Sequence, residues 1–599
     1  VSSFGFGLLV AAGLLLLSCP AAFAEAPPIT ENAYCAKGNV PQFGAKDGPA
    51  ELPKACYYTG LDGTPSPGKQ IHVPPKSDLA AAVESAKCGD TLLLPAGASF
   101  DVRELPAKKC DDQHYITIRT DTPDSKLPPE GTRISPAWGG VASLPGRPPF
   151  AQPPGGPAKL LATLVVRRPV GASIGDHVRF IGIEWTTESG ADIGRMANAE
   201  HGDHIIFDRN WFHPAAGSAH VAVGMTEGAH VIAVINSYIN DLFCTAHGKC
   251  TDAHGIGGGS GDEPISTLKI FNNFIEASGE DILLGGAAAT QVPTDIEIRR
   301  NHLFRPMLWK EEDPSYSPSP TGQPYVVKNN LELKSAIRVL VEANLLENSW
   351  GGFSQTGYSI LLTPKSQANE CPICRVNDVT IRFNRIHNVA GVFQIAFAPA
   401  GRTGGFATDA GRYSIHDVFA DDLHDKDYKG GGTFLILVAW KPIHDLQIDH
   451  VTAFLSGSLL AVLNPGDKLP NFSLTNSVFA VGDEKPAVHS AGGGPESCAG
   501  KSQKMGPEAV LAACFDPLKF EKNLIIGGRG SFPKGNFEVG SPDAAGIRDL
   551  KGAVSKDPRL CRDKGPGCPR KSPGAGAASD GRDLGADIDA VEAAIAGVQ

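Results

Sequence analysis

Through the middle of the chain, short runs of alternating apolar and polar residues end repeatedly in an asparagine followed by further apolar residues. The phrase reads HIIFDRNWF at 204–212, HVIAVINSYI at 230–239, LKIFNNFI at 268–275, IEIRRNHLF at 296–304, VLVEANLLE at 339–347, VTIRFNRIH at 379–387 and FSLTNSVF at 472–479. LQIDHVTAF at 446–454 is a further copy with His in the Asn place. Successive copies commonly lie roughly 25 to 45 residues apart, the range of repeat architectures with inserted loops. Period-two alternation makes each phrase a strand with one buried face. The Asn falls where the strand turns, because it tolerates left-handed backbone and its amide can pair with an Asn one coil away. Stacked short parallel strands with Asn at a corner predict an all-β right-handed parallel β-helix, a solenoid. In AIRVLVEANLLENSW, Arg338 and Glu342 then belong to strand and turn rather than to one face of a helix.

Composition agrees with a turn-rich β protein: the 599 residues include 69 Gly and 47 Pro but only 4 Met. An apolar run from Leu8 to Leu17, followed by Ala22-Phe23-Ala24, has the layout of a secretory signal peptide over 1–24, although a basic leading region is missing. A lipoprotein reading at Cys19 fits less well, and no later run is long enough for a membrane span. A secreted or periplasmic location is expected. Export turns the 12 cysteines other than Cys19 (13 − 1) into expected disulfides between sequence neighbours: Cys35/Cys56, Cys88/Cys110, Cys244/Cys250, Cys371/Cys374, Cys498/Cys514 and Cys561/Cys568.

Residues 77–97, SDLAAAVESAKCGDTLLLPAG, read as an Ala-rich helix with Ser77 as N-cap, then a strand and a turn. Residues 69–120, which contain this segment, resemble the start of the pectate-lyase-like β-helix superfamily, in which such a helix covers the open end of the core. The expected organisation is a signal peptide (1–24), an N-terminal extension (25–68), the β-helix (69–480), and late coils with a Gly/Pro-rich region and a C-terminal cap (481–599).

NNLELKSAIRVLVEANLLENSWGGFSQTGYSILL, from 329, resembles chondroitinase-B-like and alginate-lyase-like β-helix enzymes, where an acidic residue precedes Lys-Ser and an Arg-His-Gly tripeptide follows one coil later. In those enzymes Lys is the base, Arg assists as acid, and calcium held by carboxylates neutralises the uronate. The resemblance implies Lys334 as base and Glu332 as a calcium ligand, with calcium the one cofactor expected. The Arg-His-Gly place holds Gln355-Thr356-Gly357, which lacks the cationic acid.

β-Elimination also requires positive charge against the uronate carboxylate. Lys334 and Arg338 are the candidate catalytic residues, and Lys328, Lys310, Arg299, Arg300 and Gln355 are candidates for substrate binding. Trp309 and Trp350 are candidates for stacking on sugar rings. Against this, a charged outward residue on a strand is ordinarily just solvated. Pieces of a hydrolase site occur in Asp252-Ala-His254 and Glu280-Asp281, without the Arg-x-Lys element that polygalacturonase-type hydrolysis needs. The reading is a monomeric secreted carbohydrate-active protein, with a uronan lyase as its sharpest form and a non-catalytic glycan-binding solenoid and a glycoside hydrolase as alternatives. Polysaccharide is the expected partner, and a net charge of −11 argues against nucleic acid.

Overall fold

The computed structural model describes residues 29–599 apart from 169–171, 216, 218, 249, 251, 401–403, 464–465, 483–485, 493–497, 499–504, 549, 552–553 and 556. The proposed signal peptide lies outside the described residues. One turn of the solenoid shows how the alternation is used. Ala336–Glu342, Leu345–Ser349 and Tyr358–Leu362 are its three strands, each in a different sheet. Val339 and Val341, Leu346, and Ile360 and Leu362 point into a common core. Stacking of such turns produces two parallel sheets of fourteen strands and a third of eleven. The chain is a right-handed parallel β-helix. Its coils continue past residue 480, to strands at Leu518–Glu521 and Phe537–Val539.

The corner between the first and second sheets holds the repeated Asn. Asn273, Asn301, Asn344 and Asn384 stack, with each Nδ2 donating to the next Oδ1 at 2.9, 3.1 and 2.9 Å. The left-handed residue is usually the one before: Arg300, Ala343 and Phe383 have φ of 55°, 57° and 54°. Asn236 and Asn476 take the left-handed place themselves. Ser237 and Ser477 then occupy the column, their hydroxyls accepting from Asn210 N and Val451 N, each at 3.0 Å.

The core is closed at its start by the helix Leu79–Ser85, which buries Leu79 and Val83. Its N-cap is Asp78, one residue later than expected. The Asp78 carboxylate accepts from Ala80 N and Ala81 N at 2.9 and 3.3 Å, which leaves Ser77 outside the helix. Helix Pro507–Cys514 packs Val510 and Leu511 onto the far part of the core. The last helix, Ile588–Ile595, instead lies on the flank of the solenoid, with Ile588 and Val591 against Phe454 and Leu524.

The N-terminal extension is a strap across the outer face of the first sheet. Tyr34 donates to Glu342 at 2.9 Å, Lys54 N to Asp295 at 2.7 Å, and Arg179 to Thr59 O at 2.8 Å. Charges that alternation directs outward on this sheet are therefore covered. All six disulfides join the expected sequence neighbours. Among the described residues no helix is long and apolar enough to cross a membrane.

Candidate functional site

The third sheet carries a different outer face. Its strands His254–Gly258, Glu280–Leu284, Asn329–Leu333 and Tyr358–Leu362 are in register, so that His254, Glu280 and Asn329 align, as do Leu283, Glu332 and Leu361. Ile282, Leu284, Leu331 and Leu333 fill the core, which turns Glu332 and Lys334 outward. The strand starts are pinned by a buried ladder. Ser359 donates to Asn330 and Asn330 to Asp281, each at 2.9 Å, and burial pushes the Asp281 carboxyl up to about 7.

Around this face gather three lysines and several carboxylates. Lys334 Nζ lies 3.6 Å from Glu332 Oε2, while Thr363 donates to Glu332 Oε1 at 2.5 Å. The Lys328 ammonium contacts Asp252 and stands 3.8 Å from Glu280, whose other oxygen is 3.1 Å from His254 Nδ1. Lys365 follows the next strand and forms no ion pair among the described residues. Burial, then the charge of Lys334, draws the Lys328 amine down to about 8, and the charge of Glu332 pulls the other way. Burial also lowers Lys365, which Glu332 opposes and Lys334 reinforces.

The site is built with unfilled polar valence. Both oxygens of Glu280, both polar atoms of the Asn329 amide and Glu332 Oε2 are buried and receive no directed hydrogen bond from the described residues. The contacts from Lys328, Lys334 and His254 are ionic in distance only. Unsatisfied buried groups cost about 1 to 3 kcal/mol each, and a polar ligand on this face would satisfy them.

Other expected site residues lie elsewhere. Arg338 is on the first sheet, where its guanidinium makes two 2.7 Å bonds to Asp295, so it is removed from Lys334. Arg299 is buried under the strap, donating to Glu297 and to Glu31 O, each at 2.9 Å. Arg300 holds the C-terminal helix through Ala594 O and Ala596 O at 2.5 and 2.7 Å, beside a cavity of about 320 Å³ that includes Arg133 and Gln599. Trp309 and Trp350 are 3% and 4% exposed. Trp309 stacks on Tyr325 at 5.1 Å and Trp350 meets Tyr428 edge-on at 6.4 Å, so neither ring is free for a sugar. Lys310 pairs with Glu312 at 3.2 Å and lies over the Tyr428 ring. Gln355 is half-buried in the loop before Tyr358–Leu362, the loop on which Phe353 stands 50% exposed.

No protein-family model matches this chain, and no curated protein matches its sequence. Solved structures resemble it at low identity. PL6 family alginate lyase AlyGC aligns with 12% identity and a TM-score of 0.37 over 87% of this chain and 58% of its own. The catalytic unit of a GH87 α-1,3-glucanase from Streptomyces thermodiastaticus aligns with 11% identity and a TM-score of 0.40, covering 82% and 69%. Pectate lyase Pel9A aligns with 11% identity and a TM-score of 0.28, covering 88% and 97%. The chain thus spans little more than half the length of the alginate lyase. The likeness goes no further than the coil architecture that the sheets already display.

Lys365, Asp252, His254 and Glu280 complete the face that Lys334 and Glu332 begin. The signal for Lys365 is present in the sequence. Leu333-Lys334-Ser335 is followed one coil later by Leu362-Thr363-Pro364-Lys365-Ser366, a second Lys-Ser step at the end of a third-sheet strand.

Proposed function

We propose that this protein is an extracytoplasmic, carbohydrate-active β-helix that cleaves a uronate-containing polysaccharide by β-elimination on the outer face of its third sheet. One observation carries the reading: two successive Lys-Ser steps bring Lys334 and Lys365 beside Lys328 over a buried, half-unpartnered Glu332. Elimination needs a base for the C5 proton and fixed positive charge for the carboxylate as it becomes an enolate. Lys365, half-buried and without an ion pair among the described residues, is the base. Lys334 and Lys328 are the charges that meet the carboxylate. Lys334 thus stays in the machinery in a different part from the one its sequence context implies. The C5 proton passes to the Lys365 amine, the C4–oxygen bond breaks, and the departing oxygen takes a proton from solvent. The exposed Phe353 ring takes the stacking part.

Six disulfides support an oxidising location. Glu332 faces a lysine, and among the described residues it belongs to no group of three His, Cys, Asp or Glu side chains close enough to hold an ion. No step is therefore assigned to calcium. The convergence of Asp252, His254 and Glu280 favours a second reading, hydrolysis by paired carboxylates.

The test is a panel of pectate, alginate and chondroitin with purified protein, with and without EDTA. New reducing ends accompanied by the absorbance of an unsaturated uronate on the new non-reducing ends support elimination. Reducing ends without that absorbance support hydrolysis, and binding without new ends supports a non-catalytic solenoid.

A further inference from the structure

Where the third sheet passes into the first, the coils from His177 to Asn471 each place one left-handed residue, whose side chain projects away from the core. Along this corner the stacked partners have opposite charge: Asp295 with Arg338, and Asp378 with Arg412, each pair bridged twice at 2.7 Å. Near the start of the solenoid the same positions hold His177 and His204, with φ of 49° and 56°. Register places them one above the other, because Val178 pairs with Ile205. Their rings stack at 4.5 Å and 6° from parallel. Two bases at this corner do not neutralise each other. Both instead turn Nε2 to a third group, the carboxylate of Asp112, at 3.2 and 3.4 Å.

We propose that Asp112, His177 and His204 form a site for a divalent transition-metal ion of the zinc type. The three ligand atoms lie within 4.8 Å of one another, the one such convergence of His, Cys, Asp or Glu among the described residues. The donor set, two imidazoles and a carboxylate, suits zinc, with metal–ligand distances of about 2.0 to 2.2 Å. The surroundings prepare it. His204 Nδ1 lies 2.7 Å from Asp203 Oδ1, and an ionised carboxylate can only accept, so Nδ1 carries the proton and Nε2 is left to donate its lone pair. A carboxylate behind a ligating histidine orients the ring and makes it a better ligand. His177 Nδ1 is buried without a partner among the described residues, so none of them holds that ring in another role by a second hydrogen bond. Asp112 stands two residues after Cys110, whose disulfide to Cys88 ties its loop to the end of the capping helix. A bound ion would join that loop to two coils of the corner. The inference is independent of the glycan chemistry assigned to the third sheet.

The test uses the untagged full chain, stripped with EDTA and titrated with Zn²⁺ by calorimetry, then with Co²⁺ for its visible spectrum. One equivalent is expected to bind and to raise the melting temperature. His177→Asn and His204→Asn keep a residue that tolerates left-handed backbone and are expected to lose at least tenfold in affinity. Asp112→Ala, on an exposed loop, should lose a similar factor without altering the fold. His201→Ala, at an exposed histidine paired with Glu263, should bind like the parent. Absence of binding at millimolar Zn²⁺, or equal affinity in the parent and all three ligand variants, overturns the proposal.

Discussion

The side-chain amide of Asn301 donates to Oδ1 of Asn344 at 3.1 Å, and the same oxygen accepts the Asn301 backbone N–H at 2.8 Å. The second Asn301 amide hydrogen goes to Ile270 O at 2.9 Å, so every polar atom of the side chain is used inside the wall of the solenoid. Asn301→Leu leaves donors and acceptors of three coils unpaired. The expected loss is roughly 1 to 3 kcal/mol, read as a lower urea midpoint with unchanged slope.

Lys334→Ala and Lys365→Ala are each expected to lower kcat by roughly a hundredfold or more, the scale of a lost acid–base or charge-stabilising group. Their melting temperatures should stay near that of the parent. Arg338→Ala should do the reverse, because it strips Asp295 of its bidentate partner on another sheet. Full activity in both lysine variants would end the assignment of the third-sheet face.

Glu332 favours the charged forms of Lys328 and Lys365. Replacing it by Gln removes that support, so both amines give up their protons at lower pH. The ascending limb of the kcat/KM profile of Glu332→Gln should move to lower pH. A limb that stays in place, or moves up, contradicts the electrostatic account.

Phe353→Ala removes an exposed ring from the loop before Tyr358–Leu362. Loss of one stacking contact corresponds to about 1 kcal/mol, a rise in KM of roughly fivefold with kcat little changed. The check is a steady-state titration with the substrate identified by the panel. Trp350→Ala should instead destabilise the fold, since that ring is buried against Tyr428.

Burial works against a charge on His416, but hydrogen bonds to Asp417 and Asp47 at 2.8 and 3.1 Å outweigh it and raise the ring to about 9. Against the effect of burial, the same contact holds Asp47, on the strap, down to about 2. A raised histidine stabilises fully below its unfolded value of 6.5, and that contribution fades as pH climbs through about 9. It amounts to on the order of 2 to 3 kcal/mol. The strap should become more open to protease and to hydrogen exchange between pH 7 and 9.5, and His416→Gln should abolish that dependence.

The solenoid was legible because its signals are local. Period-two alternation and a corner Asn recur in single phrases, and neighbouring cysteines close short loops. What alternation does not tell is which of three outer faces a residue joins, or what covers that face. Arg299 and Lys334 both project outward from strands. One lies under a strap that comes from some 270 residues earlier, and the other stands beside Glu332 on the third sheet. Trp309 and Trp350 were invisible as core for a similar reason: Phe243 and Tyr428 arrive from other coils, and Tyr325 from the far end of the long loop that carries Trp309. Lys365 was readable once strand ends were aligned, since its Lys-Ser step repeats that of Lys334.

The strap also sets the order in which this molecule can be finished. A solenoid ordinarily grows by nearest-neighbour docking, each repeat needing only the one before it. Here an early segment of the chain has partners far downstream: Tyr34 meets Glu342 across 308 residues, and Asp47 meets Ser414 across 367. Those contacts close only after most of the chain has been made. Until then Arg299, Glu342 and Arg382 stand bare, and residues 29–68 wait as an unplaced ribbon. Its docking is a late, long-range step that staples coils already formed, and it converts a stack able to fray coil by coil into a body that opens cooperatively.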